Sequence, residues 1–189
     1  MARWRVDGQL SVHEAWLLPF QVRELAVELR EAIDPDTDRL LVARLSRLGT
    51  GHVYALCTRH PKKAAPLLGQ ITGPVSPPAH LHTGWYLLAY DVSHPRRLQR
   101  VQRTMARTAL QLQRSVYLYH GEGNTLHTLL TEIGSLVTPK EDDVRLYPLS
   151  GPSDLWFLSG PCPPLPAVRR ETAATPPIRQ QLQTWLGRH

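Results

Sequence analysis

The alternation of apolar and polar positions predicts a compact α+β unit over residues 84–160. A continuous apolar and aromatic run, residues 85–90, ends at Asp91 and is typical of a buried central strand. A helix is predicted next, with Ser93 as a candidate cap and Pro95 in its first turn. Its apolar face carries Leu98, Val101, Met105 and Ala109 at helical spacing.

A hairpin, a second helix and another strand are predicted to complete this unit. Residues 110–119 are rich in Val, Leu and Tyr and end at a glycine-rich turn signal, which indicates a strand or hairpin. A helical apolar pattern covers residues 125–137, and residues 143–149 are typical of a strand. The order βαββαβ is that of the ferredoxin-like sandwich, an α+β fold with two helices on one face of an antiparallel sheet. This fold alone does not define a function.

Two proline clusters divide the chain, because proline can neither continue a helix nor donate to a sheet ladder. The predicted parts are an amino-terminal part at 1–57, a linker at 58–83, the complete domain at 84–160 and a proline-rich tail at 161–189. The tail carries one short helical pattern at 178–186. An apolar piece at 155–158 is typical of an extra strand that joins the sheet edge of a partner.

The amino-terminal part repeats the second two thirds of the complete domain. A shift of 104 positions aligns residues 1–56 with residues 105–160 without a gap, and Leu45, for example, falls on Leu149. We therefore expect a truncated ferredoxin-like copy that lacks the first strand, followed by one complete copy. Two explanations stay open: either the protein begins upstream of Met1, or the partial copy completes itself by packing on the intact one.

Composition favours a polyanionic partner. The formal net charge of +6 and the isoelectric point near 9.7 suit contact with phosphate backbones. The two cysteines, Cys57 and Cys162, are too few for a disulfide framework or a zinc cluster. No apolar run approaches the ~20 residues that cross a bilayer, so we expect a cytoplasmic protein without a membrane partner.

Three short stretches occur in an order and spacing that match a known family. The first is Tyr86-Leu87-Leu88-Ala89-Tyr90-Asp91-Val92-Ser93 followed by Arg96 and Arg97. The second is Gln113-Arg114-Ser115-Val116-Tyr117. The third is Pro139 and Asp142 followed by Val144-Arg145-Leu146-Tyr147-Pro148-Leu149. In this combination residues 84–160 resemble the CRISPR-associated protein 2 family. The glycine of Tyr119-His120-Gly121 departs from the pattern, because the family more often places it closer to the second stretch.

The resemblance implies a dimeric ferredoxin-like protein of CRISPR spacer acquisition. Such a protein bridges two dimers of the CRISPR integrase subunit and holds double-stranded DNA on a basic surface. In this chain the pairing could be a homodimer or an intramolecular pseudo-dimer of its two copies. The alternative function is a ferredoxin-like RNA-binding or regulatory module without catalysis.

The resemblance also implies a metal-dependent endonuclease, because some members of the family hydrolyse phosphodiesters. In those members an aspartate at the end of the first strand, matched here by Asp91, is catalytic and holds Mg²⁺ or Mn²⁺ together with its dimer mate. The partial copy has no matching aspartate, so an intramolecular pseudo-dimer would hold an incomplete metal pair. Asp91 could instead cap the helix that follows it.

A stripe of arginines on the first helix of the complete domain is the predicted DNA contact. It consists of Arg96, Arg97, Arg100, Arg103 and Arg107. No acidic residue occurs between positions 94 and 121 to neutralise these charges within the helix. We expect them to contact the phosphates of a duplex without reading its sequence. An ordinary solvated charged face is the alternative.

Overall fold

The computed structural model describes residues 7–8, 12–15, 17–34, 36–45, 54–57, 81–159 and 165. The predicted tail helix at 178–186 and nearly all of the predicted linker lie outside these residues. Among the helices in the described ranges, none is both long and apolar enough to span a bilayer.

Three helices and nine strands make up the described chain. In order they are β1 (Asp7–Gly8), β2 (His13–Glu14), α1 (Pro19–Ala32), β3 (Leu40–Ala43), β4 (Tyr54–Cys57), β5 (Gly84–Asp91), α2 (Pro95–Met105), β6 (Leu110–Gln113), β7 (Val116–Gly121), α3 (Gly123–Leu136), β8 (Asp143–Leu149) and, after a 3₁₀ turn at Pro152–Asp154, β9 (Leu155–Ser159).

The complete domain has the predicted ferredoxin-like fold. Its four strands lie in the order β8-β5-β7-β6, with antiparallel neighbours throughout. Strand β5 is central, and Leu88 and Ala89 are both fully buried, one on each face of the sheet. Helices α2 and α3 cover the face of Leu88, where Val101 and Ile133 pack against it in one apolar cluster. The α+β class predicted from the sequence is confirmed.

Local chemistry explains where the two helices begin. The N-cap of α2 is His94 and not Ser93 as expected, and its Nδ1 accepts from the backbone N–H of Arg96 at 3.2 Å. At the start of α3, a Cβ on Gly123 would lie 1.7 Å from the carbonyl oxygen of Leu81. This close approach of two backbone segments is open only to glycine.

The other face of the sheet packs against the amino-terminal part of the chain. Leu87 and Ala89 of β5 and Leu118 of β7 form a second apolar cluster, against which Leu41 and Ala43 of β3 pack. Strand β4 extends the main sheet beside β8, and β3 pairs with β9 in a separate two-stranded ladder. The apolar piece predicted to join another sheet edge, β9, thus pairs with a strand of the same chain.

The shift of 104 positions also relates the elements of the two parts. It carries the bounds of α1 onto those of α3 and places β3 inside β8. The pairings β4 with β8 and β3 with β9 are therefore reciprocal. In one ladder Tyr54 lies opposite Leu146. In the other, Val42 lies opposite Trp156, which is two residues before the position that the shift predicts, and a displacement of two residues keeps every side chain on the same face of its strand. A duplicated unit would produce this arrangement, although the division into domains stays a prediction.

Candidate nucleic-acid interface

The exposed side of α2 carries a short row of cations. Arg96, Arg100 and Arg103 are all exposed, whereas Val101 and Met105 on the opposite side are fully buried. The Nε of Arg103 donates to the carbonyl oxygen of Gln99 at 3.3 Å. No carboxylate of the described residues forms an ion pair with any of these three guanidinium groups. They present an uncompensated positive surface, which we call the α2 arginine row.

Arg97 belongs to a different environment from this row. Its Nε donates to Asp142 Oδ2 at 3.0 Å and its Nη2 to Asp142 Oδ1 at 3.1 Å. The same Nη2 donates to Glu141 Oε2 at 2.6 Å, and the side chain is only 22% exposed. Because two carboxylates already hold this guanidinium, its first role is to join α2 to the segment before β8. The predicted contact of Arg97 with DNA is left as a prediction.

Asp142 is the buried centre of that junction. Its side chain is fully buried, and it also accepts the backbone N–H of Ser93 at 3.0 Å and of Thr138 at 2.8 Å. Burial by itself would raise the pKa of this carboxyl, but the hydrogen bonds from Arg97, Thr138 and Ser93 outweigh it and the pKa is lowered. The group therefore stays ionised and ties the ends of β5, α2 and α3 together.

Arg107 lies two residues beyond the end of α2, and its charge is partly compensated. Its Nη1 donates to Glu132 Oε1 of α3 at 3.1 Å, and Thr104 Oγ1 donates to the same oxygen at 3.0 Å. The guanidinium is 66% exposed and its partner 44% exposed. A surface pair of this kind contributes little to stability and can exchange for a phosphate.

The local sequence of α2 does not reveal these tertiary partners. No acidic residue lies within positions 94–121, but carboxylates outside that window pair with two of the arginines: Glu132 with Arg107, and Glu141 and Asp142 with Arg97. A signal was available in the third family-like stretch, which includes Asp142 just before a strand. Three of the five predicted arginines therefore form the row, while Arg97 and Arg107 are paired.

Asp91 lies at the end of β5, on the face opposite to the helices. It is half-buried, and its register partner across the ladder is Asp143, the first residue of β8. Alternation along β5 places Asp91 on the face of Leu87 and Ala89, which packs against the amino-terminal part. The strand end is thus located where the sequence predicted it, and a second acidic residue that the sequence argument did not single out lies beside it.

An arginine engages Asp143, the register partner of Asp91, and also Glu14. Arg145 donates from Nε to Asp143 Oδ1 at 3.0 Å, and from Nη1 to Glu14 Oε1 at 2.6 Å. In the described ranges no group of three or more His, Cys, Asp or Glu side chains could hold a metal ion. Mg²⁺ and Mn²⁺ need several oxygen ligands, and the oxygens that Asp143 and Glu14 offer face a guanidinium. Asp143 and Glu14 are therefore poorly placed to add ligands, and the holding of Mg²⁺ or Mn²⁺ by Asp91 with a dimer mate stays a prediction.

Comparison with known proteins agrees with this fold. A family model described as CRISPR associated protein Cas2 matches residues 84–154. CRISPR-associated endoribonuclease Cas2 1 of Nitrosomonas europaea is 38% identical over 66 residues, which are 35% of this chain and 63% of that protein. CRISPR-associated endoribonuclease Cas2 1 of Thermodesulfovibrio yellowstonii is 30% identical over 80 residues, which are 42% of this chain and 87% of that protein.

The extent of these similarities differs between relatives. The chain spans about three fifths of the length of the two Nitrosomonas europaea relatives, 63% and 61%. A solved structure, that of a hypothetical protein TT1823 from Thermus thermophilus, matches at 24% identity and a TM-score of 0.35, over 36% of this chain and 83% of that chain. That structural similarity is too low to carry an argument. The match over 87% of a relative at 30% identity, with the family model, shows that the chain belongs to the CRISPR associated protein Cas2 family.

Proposed function

We propose that this chain is a DNA-binding structural subunit of CRISPR spacer acquisition, which holds duplex DNA and bridges dimers of the CRISPR integrase. The observation that carries the proposal is the α2 arginine row, Arg96, Arg100 and Arg103, on a Cas2-type domain. The row binds phosphates and supplies no sequence readout.

The dimensions of the row suit a duplex backbone. Seven residues separate Arg96 from Arg103, which is about 10 Å along a helix axis. That length covers about three base-pair steps at 3.4 Å each. Helix α2 contains no acidic residue, so no carboxylate of its own repels the backbone. Arg107 can join the row when a phosphate replaces Glu132 as its partner.

We propose further that the pairing typical of the family is achieved within one chain. The reciprocal ladders, β4 with β8 and β3 with β9, support an intramolecular pseudo-dimer. Apolar contact between Leu41, Ala43 and the open face of the main sheet supports it as well. Light scattering is expected to give the mass of one chain, 21.4 kDa, and a stable dimer at low micromolar concentration would contradict this arrangement.

Duplex binding is tested with a triple variant, Arg96→Gln, Arg100→Gln and Arg103→Gln. Each lost phosphate contact lowers the slope of log affinity against log salt by about one. The variant is therefore expected to lose about three units of slope and at least tenfold in affinity at ~0.1 M salt. The matched control replaces three exposed arginines of the amino-terminal part, Arg23, Arg30 and Arg39, with Gln.

The control variant carries the same change of net charge, so it separates the row from general electrostatics. Equal losses in both variants would show that only net charge matters and would contradict the proposal. A wild-type protein that prefers single-stranded RNA to duplex DNA would favour the RNA-binding or regulatory module.

A second candidate function is cleavage of RNA, which is favoured by the names of the endoribonuclease relatives and by the position of Asp91 at the end of β5. It ranks below the structural role because the neighbouring carboxylate, Asp143, is held by Arg145. Cleavage of a single-stranded RNA is measured with Mg²⁺ or Mn²⁺ for the wild type and for Asp91→Asn. Equal rates in the two proteins would remove Asp91 from the mechanism.

A further inference from the structure

A buried polar cluster joins the amino-terminal part to the complete domain. Glu14 of β2 accepts from Arg145 Nη1 at 2.6 Å and from the hydroxyl of Tyr147 at 2.7 Å, both through Oε1. Glu14, Arg145 and Tyr147 are 8%, 5% and 2% exposed. Burying a charge or a hydroxyl without a hydrogen-bond partner costs free energy, so each of these three side chains requires the others. We call these three residues the Glu14 cluster.

The protonation of the cluster is fixed by its surroundings. Burial and the charge of Glu14 raise the pKa of Tyr147 well above its ordinary value, so its hydroxyl remains a donor. Burial would lower the pKa of Arg145, but Asp143 and the other acidic neighbours outweigh this and the pKa is raised. Arg145 and Tyr147 therefore remain hydrogen-bond donors near neutral pH, and both need an acceptor at the position of Glu14.

The equivalent contact on the other side of the pseudo-dimer is apolar. The shift of 104 positions carries Glu14 to Leu118 and brings Leu41 and Ala43 to Arg145 and Tyr147. Leu118 is 2% exposed and lies in the same apolar cluster as Leu41 and Ala43. One contact of the pair is thus a salt bridge with a hydrogen bond, and its counterpart consists of aliphatic side chains.

A second polar contact between the two parts is also one-sided. Arg44, beside β3, donates from Nη2 to Asp154 Oδ1 at 2.6 Å and from Nε to the same oxygen at 3.0 Å. Asp154 is 1% exposed. The same shift replaces Arg44 by Pro148 and Asp154 by Thr50, which cannot form this ion pair. The two parts are therefore complementary to each other and not self-complementary.

We propose that the Glu14 cluster is a partner-selecting contact. It favours pairing of the complete domain with the amino-terminal part of its own chain and disfavours pairing with a second complete domain. In a pair of complete domains, Leu118 of each would face Arg145 and Tyr147 of the other. The Tyr147 hydroxyl and one arm of Arg145 would then lose their acceptor at both contacts. Discrimination of this kind works by leaving the wrong partner with buried, unpaired polar groups. The inference rests on the intramolecular pairing of the proposed function.

The first arm of the test measures the coupling between Glu14 and its donors in the full chain. Glu14→Leu is expected to lower the melting temperature by about 5–10 °C, because two buried donors lose their acceptor. Glu14→Gln keeps an acceptor for Tyr147 and is expected to lower the melting temperature by about half as much as Glu14→Leu. Joining Glu14→Leu with Arg145→Met and Tyr147→Phe copies the apolar counterpart. This triple variant is made in an Asp143→Asn background, so that no buried carboxylate is left without its arginine, and most of the loss is then expected to be recovered.

The second arm measures selection directly. Native mass spectrometry is applied to a mixture of unlabelled and isotope-labelled full chains. The triple variant is expected to dimerise at least tenfold more tightly than the wild type, because Leu118 of a second chain can now pack on the sheet face that carries positions 145 and 147. Melting temperatures that do not respond to Glu14→Leu, or a folded triple variant as monomeric as the wild type, would overturn the selecting role. A wild type that is itself a tight dimer would instead refute the intramolecular pairing.

Discussion

The buried Asp142 carboxylate provides the sharpest test of how α2 is held. In Asp142→Ala, the backbone amides of Ser93 and Thr138 lose the acceptors that lie 3.0 and 2.8 Å away. Each buried donor left without a partner costs ~1–3 kcal/mol. Since the side chain is fully buried, water cannot easily replace it, and we expect a loss of about 3–4 kcal/mol in the free energy of unfolding. For a chain of this size the melting temperature should fall by about 10 °C.

The assay is urea denaturation followed by circular dichroism, with Glu141→Gln as the matched control. Glu141 contacts the same arginine at 2.6 Å but is 58% exposed. Its neutralisation is expected to cost less than ~1 kcal/mol. If Asp142→Ala were no more destabilising than Glu141→Gln, the assignment of Asp142 as the junction between α2, α3 and β8 would be refuted.

Acid stability gives an independent reading of the same group. The pKa of Asp142 is lower in the folded protein than its ordinary value of 3.8, so below that value the unfolded chain binds the proton more readily. Its contribution is complete above pH ~4 and is lost as the pH falls through the folded pKa. The free energy of unfolding of Asp142→Asn should therefore depend less steeply on pH below 4 than that of the wild type. An unchanged acid dependence would contradict the lowered pKa.

Two further predictions concern packing. Gly123→Ala places a Cβ 1.7 Å from the Leu81 carbonyl oxygen and should lower the free energy of unfolding, measured in urea, by about 2–3 kcal/mol. In the control Gly84→Ala the new Cβ meets its nearest atom at 3.8 Å, so stability should change little. Equal effects of the two substitutions would argue against the close approach of Gly123 to Leu81. Cys57 is 4% exposed, and burial together with the charges of Asp143 and Asp142 raises its pKa to about 12. In a Cys162→Ser variant, where Cys57 is the sole thiol of the sequence, a thiol reagent at pH ~8 should therefore react far more slowly with the native protein than with the urea-unfolded protein. Similar rates in both states would place this thiol at the surface.

The sequence alone was sufficient to predict the helices and strands of the complete domain. Apolar periodicity located β5, α3 and β8, because these elements bury a whole face against one core and the pattern records it. Their family-like stretches then fixed the order of the fold. The N-cap of α2 was assigned one residue early, since Ser93 and His94 can both accept a backbone N–H and only tertiary contacts decide between them.

The site was less predictable, because charge compensation is a tertiary property. Nothing local in α2 distinguishes Arg97 from Arg96, yet their environments differ once α3 and the segment before β8 fold against the helix. Glu14 was missed for a related reason. A lone glutamate between His13 and Ala15 carries no local sign of a buried partner, and its burial depends on Arg145, 131 residues away in sequence.

In the proposed function, the α2 arginine row binds the duplex backbone, whereas Arg97 holds α2 to the segment before β8. The most direct measurement is an NMR titration of the arginine side-chain Nε–H signals with a short DNA duplex. Duplex binding should shift the signals of Arg96, Arg100 and Arg103 and leave the Arg97 signal nearly constant, because Arg97 Nε donates to Asp142. Unchanged signals for those three arginines, with shifts confined to other surface cations such as Arg30, would contradict it.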